Sequence, residues 1–453
     1  MGFFTIVLWF LVAISILVTF HEFGHYWVAR RCGVRVLRFS LGIGPVLYGW
    51  KNREGTEFAL SAIPIGGYVK MLDEREAEVA EDERHLSYNS KSVGQRIAIA
   101  AAGPIANVIL AWALYWVVFA QGMYALLPVL GPVEAGTPAA VAGIEAGGTI
   151  VAVDGQSVAD SDDVAAALTR RLGESGDITL SVKYNNAASD EEFNIPIEHW
   201  LSDIKQPDPM SALGLNYKLK VEPAKIAEVI PGHAGDRAGL KAGDVITAVN
   251  GKSIESAQQL TAIIRANPGR KIDLSVRRDG SERDLTLVPE TVNISGRQIG
   301  MAQISLPAAF PDDMVVHSRP GVLRAFAKAG TRVKDDFVMV FVLFKKLLIA
   351  EISVKNLSGP VGIAKVAAGF AEHGVLAFTL FLANLSVLLA AMNLLPVPVL
   401  DGGHILYCVV EWIKGRPLSE RAQIWGFKIG LTLLLCMMMV AFYNDMVPAN
   451  GIR

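Results

Sequence analysis

The stretch TFHEFGHYW, residues 19–27, closes an apolar run that begins near residue 3. Ionisable side chains in such a run are costly in lipid and mark function there. Residues four apart share one face of a helix. His21 and His25 can therefore aim two imidazoles at one ion, with Glu22 projecting beside them. Neutral imidazoles on a metal ion, with a carboxylate near the cation, lose much of the burial cost. His-Glu-x-x-His on a helix supplies two ligands and a general base. A catalytic zinc takes a third protein ligand and keeps a position open for water. NLLPVPVLDGGH, residues 393–404, offers Asp401 at the end of another apolar run, with His404 and Glu411 as rival donors. Pro396 and Pro398 break regular helix there and let backbone turn toward a cavity. A carboxylate completes a hard, open zinc site, which favours Asp401 over its plain alternative, a turn aspartate.

The rest of the chain is half membrane, half aqueous in character. Its 453 residues allow two or three domains. A 52% hydrophobic share and a mean hydropathy of +0.37 are high for a soluble protein, whereas 19% charged residues are too many for a pure membrane bundle. A net charge of -2 lacks the basic surplus of nucleic-acid binding. Cys32, Cys408 and Cys436 have no paired spacing, so neither a disulfide framework nor a thiolate metal site is expected.

Four runs are long enough to span a bilayer: 3–27, 97–120, 375–395 and 424–442. No Lys or Arg precedes the first and no small-residue cleavage site follows it, so it reads as a span and not a signal peptide. Arg30, Arg31, Arg35 and Arg38 follow span one, and Lys91 and Arg96 precede span two. Lys414, Arg416, Arg421 and Lys428 lie around the gap between spans three and four. The positive-inside rule puts both short connections in the cytoplasm, and both termini and the long segment after span two outside. In a bacterium with an outer membrane, outside means the periplasm.

That long segment repeats itself. AGIEAGGTIVAVDG (142–155) returns as AGLKAGDVITAVNG (238–251), with Gly143 and Gly239 96 residues apart. A period of that size is a whole domain. Each copy reads as a glycine turn, an alternating strand, an Asp-Gly or Asn-Gly hairpin turn, and a helix opened by serine. Gly148 in the first copy stands where the second has Asp244. Between spans one and two, VRVLRFSLGIGPVLYGW and TEFALSAIPIGGYVKML alternate like strands of a small hairpin sheet, followed by an acidic loop over 74–83. From 321 to 350 a basic amphipathic pattern, too charged to span, suits either the membrane surface or the flank of a bundle.

The repeated copies resemble PDZ domains, which bind extended peptides at a sheet edge. HEFGH in span one, LDG in span three and PDZ-like copies between spans two and three together resemble the site-2 protease family of intramembrane zinc proteases. GPIAN (103–107) and NLSGPVGIAK (356–365) also look like family segments. The resemblance covers nearly the whole chain and implies a Zn2+ cofactor held by His21, His25 and Asp401, with Glu22 as catalytic base. It further implies a substrate-gripping Asn393, and a hairpin around Gly42, Ile43, Gly44 and Pro45 whose edge receives extended substrate. The implied fold is a four-helix transmembrane zinc protease core with a small membrane-associated β-hairpin sheet and two tandem periplasmic PDZ-like α+β domains. The expected division is 1–120 for spans one and two with the hairpin sheet, 121–220 and 221–308 for the PDZ-like domains, 309–373 for a juxtamembrane segment, and 374–453 for spans three and four. The implied substrate is a single-span membrane protein in the bacterial inner membrane: a pre-trimmed anti-sigma factor, and leftover signal peptides. The PDZ-like pair would bind peptides or exclude bulky substrates, so that cleavage waits for an earlier cut. A metal transporter and an inactive PDZ scaffold are the competing readings. The first would not need a general base, and the second would hold no zinc.

Overall fold

The computed structural model describes residues 2–75, 79–185, 189–204, 207–294, 297–306 and 310–446. Residues 76–78 of the acidic run and the C-terminal tail with Arg453 lie outside this set.

In chain order the chain builds α1 (Phe3–Arg31), β1 (Val36–Lys51), β2 (Glu57–Met71) and α2 (Val93–Gln121). The first repeat follows as β3 (Thr149–Val153), β4 (Gln156–Ser157), α3 (Ser161–Arg170), β5 (Gly176–Lys183) and β6 (Glu191–Ile197). The second is β7 (Val245–Val249), β8 (Lys252–Ser253), α4 (Ala257–Ala266), β9 (Ile272–Arg278) and β10 (Ser281–Leu287). Then come α5 (Val322–Leu348), α6 (Pro360–Glu372), α7 (Val375–Asn393), α8 (Asp401–Lys414) and α9 (Glu420–Met446), with shorter elements between them. Two compact units result. One holds 1–123, 318–348 and 357–446, and the other holds 124–317 and 349–356.

In the helical unit, α1, α2, α7 and α9 are long and apolar enough to cross a membrane. They contain all four runs anticipated from hydropathy, except that α7 ends at Asn393. Small residues set the packing. A Cβ on Gly24 of α1 would lie 2.3 Å from the Ala102 carbonyl oxygen, so α1 and α2 meet backbone to backbone. Helix α5 is amphipathic, as its pattern requires. It lays Ala325, Ala329 and Val333 against Ala111, Tyr115 and Val118 of α2 and Val387 of α7. Its place is therefore the flank of the bundle. Two further helices, α6 and α8, escaped the hydropathy reading because each is too short to register as a span. Asp445 near the end of α9 accepts from the N–H groups of Gly359 and Gly362 at 3.0 and 2.9 Å, which satisfies the open first turn of α6.

Strands β1 and β2 pair twice. Arg38 to Leu41 of β1 face Lys70 to Gly67 of β2 on one side and Glu57 to Leu60 on the other. Residues 48–51 then face 57–60 again. Two long bent strands thus supply four short segments in the order 46–51, 57–61, 38–41, 67–71. Gly42 and Gly44 sit at positive φ where β1 bends, a conformation that favours glycine.

In the other unit the repeats form two four-stranded antiparallel sheets of matching order, β4-β3-β5-β6 and β8-β7-β9-β10. Asp154 and Gly155, like Asn250 and Gly251, both have positive φ, as a two-residue type I′ hairpin demands. The helix cap differs from the serine expected in the first copy. Asp160 accepts from the N–H groups of Asp162 and Asp163, whereas in the second copy Ser256 accepts from that of Gln259. An aspartate one residue earlier outcompetes Ser161 because its carboxylate reaches both donors.

The exchange of Asp244 for Gly148 also has a structural partner. Val182 faces Ile150 and Val276 faces Ile246, so Tyr184 and Arg278 occupy equivalent positions two residues on. In the second copy Arg278 makes two hydrogen bonds of 2.7 Å to the buried Asp244 carboxylate. In the first, a Cβ on Gly148 would lie 2.7 Å from the Tyr184 ring. The tyrosine fills the space and its hydroxyl accepts from the Glu145 N–H at 3.0 Å. Each copy therefore keeps a complete pair, one ionic and one aromatic over glycine.

Candidate metal centre

His21 and His25 fall in the part of α1 that turns toward α2, where both are buried. Asp401 is not at the end of α7. The stretch 394–400, interrupted by Pro396 and Pro398, turns the chain back, and Asp401 opens a separate helix, α8. Gly402 and Gly403 permit that return. Their Cβ atoms would lie 2.3 Å from the carbonyl oxygens of Leu395 and Val397.

Three donor atoms converge. His21 Nε2 is 3.1 Å from Asp401 Oδ2, His25 Nε2 is 3.4 Å from Asp401 Oδ1, and the two Nε2 atoms are 3.3 Å apart. Zinc bonds of about 2.0–2.1 Å in a tetrahedral site separate donors by roughly 3.3 Å, so the triangle has the size that zinc requires. Asp401 Oδ2 is buried without a hydrogen bond despite its short distance to His21, an orphan that a cation would satisfy. His25 Nδ1 lies 2.8 Å from the Ile99 carbonyl oxygen of α2 and donates to it. That bond leaves the Nε2 lone pair free for a ligand role.

Helix α2 shapes the space behind the imidazoles. A Cβ on Gly103 would lie 2.2 Å from His25 Nε2 and 2.8 Å from His21 Cε1. A glycine is thus required for the rings to sit where they do. The cluster opens into a cavity of about 410 Å³, lined among others by Glu22, Tyr68, Asn393 and His404. The rival donors have other places. His404 lines this cavity outside the triad, and Glu411 accepts an ion-paired hydrogen bond from Arg96.

Gly42, Ile43, Gly44 and Pro45 do not line this cavity. The strand facing it is the other edge of the sheet, with Gly67, Tyr68, Val69, Lys70 and Met71 among the lining residues. The double pairing explains the difference: β1 is covered on both sides over 38–41, then bends away at Gly42. The Gly-Gly pair in IGGYVK was a visible signal for this edge, but only the register shows which of two glycine-rich segments ends up beside Glu22. Gly67 approaches so closely that a Cβ there would lie 3.1 Å from Glu22 Cγ.

A histidine pair and a glutamate on a membrane-length helix, with a carboxylate from a proline-broken return, have the arrangement of a metallopeptidase. The profile of peptidase family M50 matches residues 9–437, and the chain belongs to that family, the site-2 protease family its motifs resemble. The chain is 41% identical to the regulator of sigma-E protease RseP of Escherichia coli over 438 residues, 96% of this chain and 97% of the relative. It is 41% identical to protease RseP of Yersinia pestis over 448 residues, 97% of this chain and 98% of the relative.

Proposed function

We propose that this chain is an intramembrane zinc protease that hydrolyses a peptide bond within the membrane segment of single-span proteins. The observation that carries the reading is the convergence of His21, His25 and Asp401 donors at 3.1–3.4 Å, beside Glu22 in a cavity. Those three residues would hold Zn2+, which when bound acidifies a water and polarises a carbonyl. Glu22, on the cavity wall, takes a proton from the attacking water and returns it to the leaving amine. Pairing of His25 with the Ile99 carbonyl keeps the ring fixed and its ligand nitrogen free.

A membrane helix hides its carbonyls in its own hydrogen bonds and must be unwound to be cut. The edge segment 67–71, which lines the cavity, can take the unwound segment as an added strand, and the Asn393 amide can hold a freed backbone group. The side-chain-free Gly67 lets this edge lie against Ser40, Val18 and Glu22. The substrate we assign extends the family resemblance: a single-span anti-sigma factor already trimmed outside, and remnant signal peptides. The basic residues flanking the spans support placement in a bacterial inner membrane with both termini and the PDZ-like copies in the periplasm.

The test uses purified full-length protein with a single-span peptide, with and without a zinc chelator, mapping the cut by mass. The expected result is one cut inside the apolar segment, abolished by chelator and restored by Zn2+. A cut that survives chelation, or none with any single-span peptide tried, contradicts the proposal.

A further inference from the structure

Asn107 is a polar residue on α2, fully buried, four residues beyond the Gly103 that cradles the imidazoles. Its amide nitrogen lies 3.4 Å from His21 Nδ1, and its amide oxygen is buried with no hydrogen-bond partner among the described residues. The α2 backbone at this residue is held from behind. The fully buried Ser386 hydroxyl of α7 donates to the Asn107 backbone carbonyl oxygen at 2.8 Å.

A ring that offers Nε2 to a metal carries its proton on Nδ1, and that N–H needs an acceptor. An amide nitrogen facing an Nδ1–H would set two donors against each other. A half-turn of the amide exchanges its ends, and their assignment rests on the hydrogen-bond network. We infer that Asn107 is the positioning residue for His21: its Oδ1 accepts from His21 Nδ1–H and thereby presents the Nε2 lone pair to zinc. His21 then has a counterpart to the pairing of His25 with the Ile99 carbonyl. Both acceptors lie on α2, eight residues apart in sequence, and α2 orients both histidine ligands of α1 without itself touching the metal.

This inference rests on the zinc reading above, and its test separates the two. Full-length protein in detergent is stripped of metal and titrated with Zn2+ against a chromophoric chelator, for wild type, Asn107→Asp and Asn107→Leu. Aspartate keeps the acceptor and loses the donor, whereas leucine loses both. The expected result is one Zn2+ per wild-type chain, binding to Asn107→Asp within about threefold of wild type or tighter, and roughly 10- to 100-fold weaker binding to Asn107→Leu. Equal affinity of wild type and Asn107→Leu overturns the inference, as does Asn107→Asp binding as weakly as leucine. Should Asn107→Leu fail to fold, Asn107→Ala takes its place as the variant without an acceptor, with the same expected and overturning results. A ¹⁵N-histidine spectrum of the zinc-loaded wild type adds a second readout: His21 must carry its proton on Nδ1, and a proton on Nε2 overturns the inference. Absence of any zinc site in the wild type would sink the parent reading and this inference with it.

Discussion

Gly103 lies against the two imidazoles, and Glu22 lines the cavity onto which they open. The glycine leaves room for the rings, so Gly103→Ala must push His25 or separate α1 from α2; overpacking of this kind costs about 1–3 kcal/mol. The expected outcome is zinc binding at least tenfold weaker in chelator competition, with both apolar helices retained by circular dichroism. Glu22 stands on the cavity wall outside the donor triangle, so Glu22→Gln is expected to slow peptide cleavage by at least about 100-fold. The same variant should keep its zinc, and loss of metal together with activity would make Glu22 a ligand. The histidines and glutamate were legible in the sequence because two imidazoles on one helix face, set in an apolar run, repay their burial cost chiefly by binding a metal. Asn107 was visible in GPIAN, but nothing short of the distance to His21 gives it work.

Among the elements, α8 and the sheet edge at 67–71 are where one-dimensional reading stopped. The prolines at 396 and 398 announced a break, yet whether the chain continues α7 or turns back depends on the backbone contacts of Gly402 and Gly403. Gly403→Ala would place a Cβ 2.3 Å from the Val397 oxygen. It should shift Asp401 and weaken zinc binding as His21→Ala does, though less completely. The double register of β1 and β2 was equally hidden, since alternation shows that strands exist and not which segment comes to line the cavity.

The repeats carry a pH prediction of their own. Burial alone would raise the Asp244 carboxyl, but the two bonds from Arg278 and the Lys241 N–H hold it below the ordinary aspartate value. A carboxyl depressed on folding stabilises above its unfolded pKa of about 3.9, and that stability is lost as pH falls through the folded value. Asp244→Asn should destabilise the second repeat at neutral pH, read as a lower thermal midpoint, because it removes the carboxylate that accepts both Arg278 bonds. The gap from wild type in thermal unfolding should narrow below about pH 4, and a gap constant down to pH 2 would show that ionisation of this carboxyl is not its source.

At the scale of the whole molecule, four membrane-length helices, a small sheet and two repeated modules were legible from hydropathy, alternation and the 96-residue period. The bringing together of α1 and α8 across 376 residues (25 to 401) was legible only as chemistry: two imidazoles on one helix face called for a third donor. The proposed catalysis depends wholly on that joint. Its most direct test is zinc K-edge X-ray absorption on the purified full-length protein. Two nitrogen ligands and at least one oxygen at about 2.0–2.1 Å, with the oxygen count altered by Asp401→His, are predicted. Sulfur scatterers near 2.3 Å, or a metal-replete preparation holding no stoichiometric zinc, would contradict it.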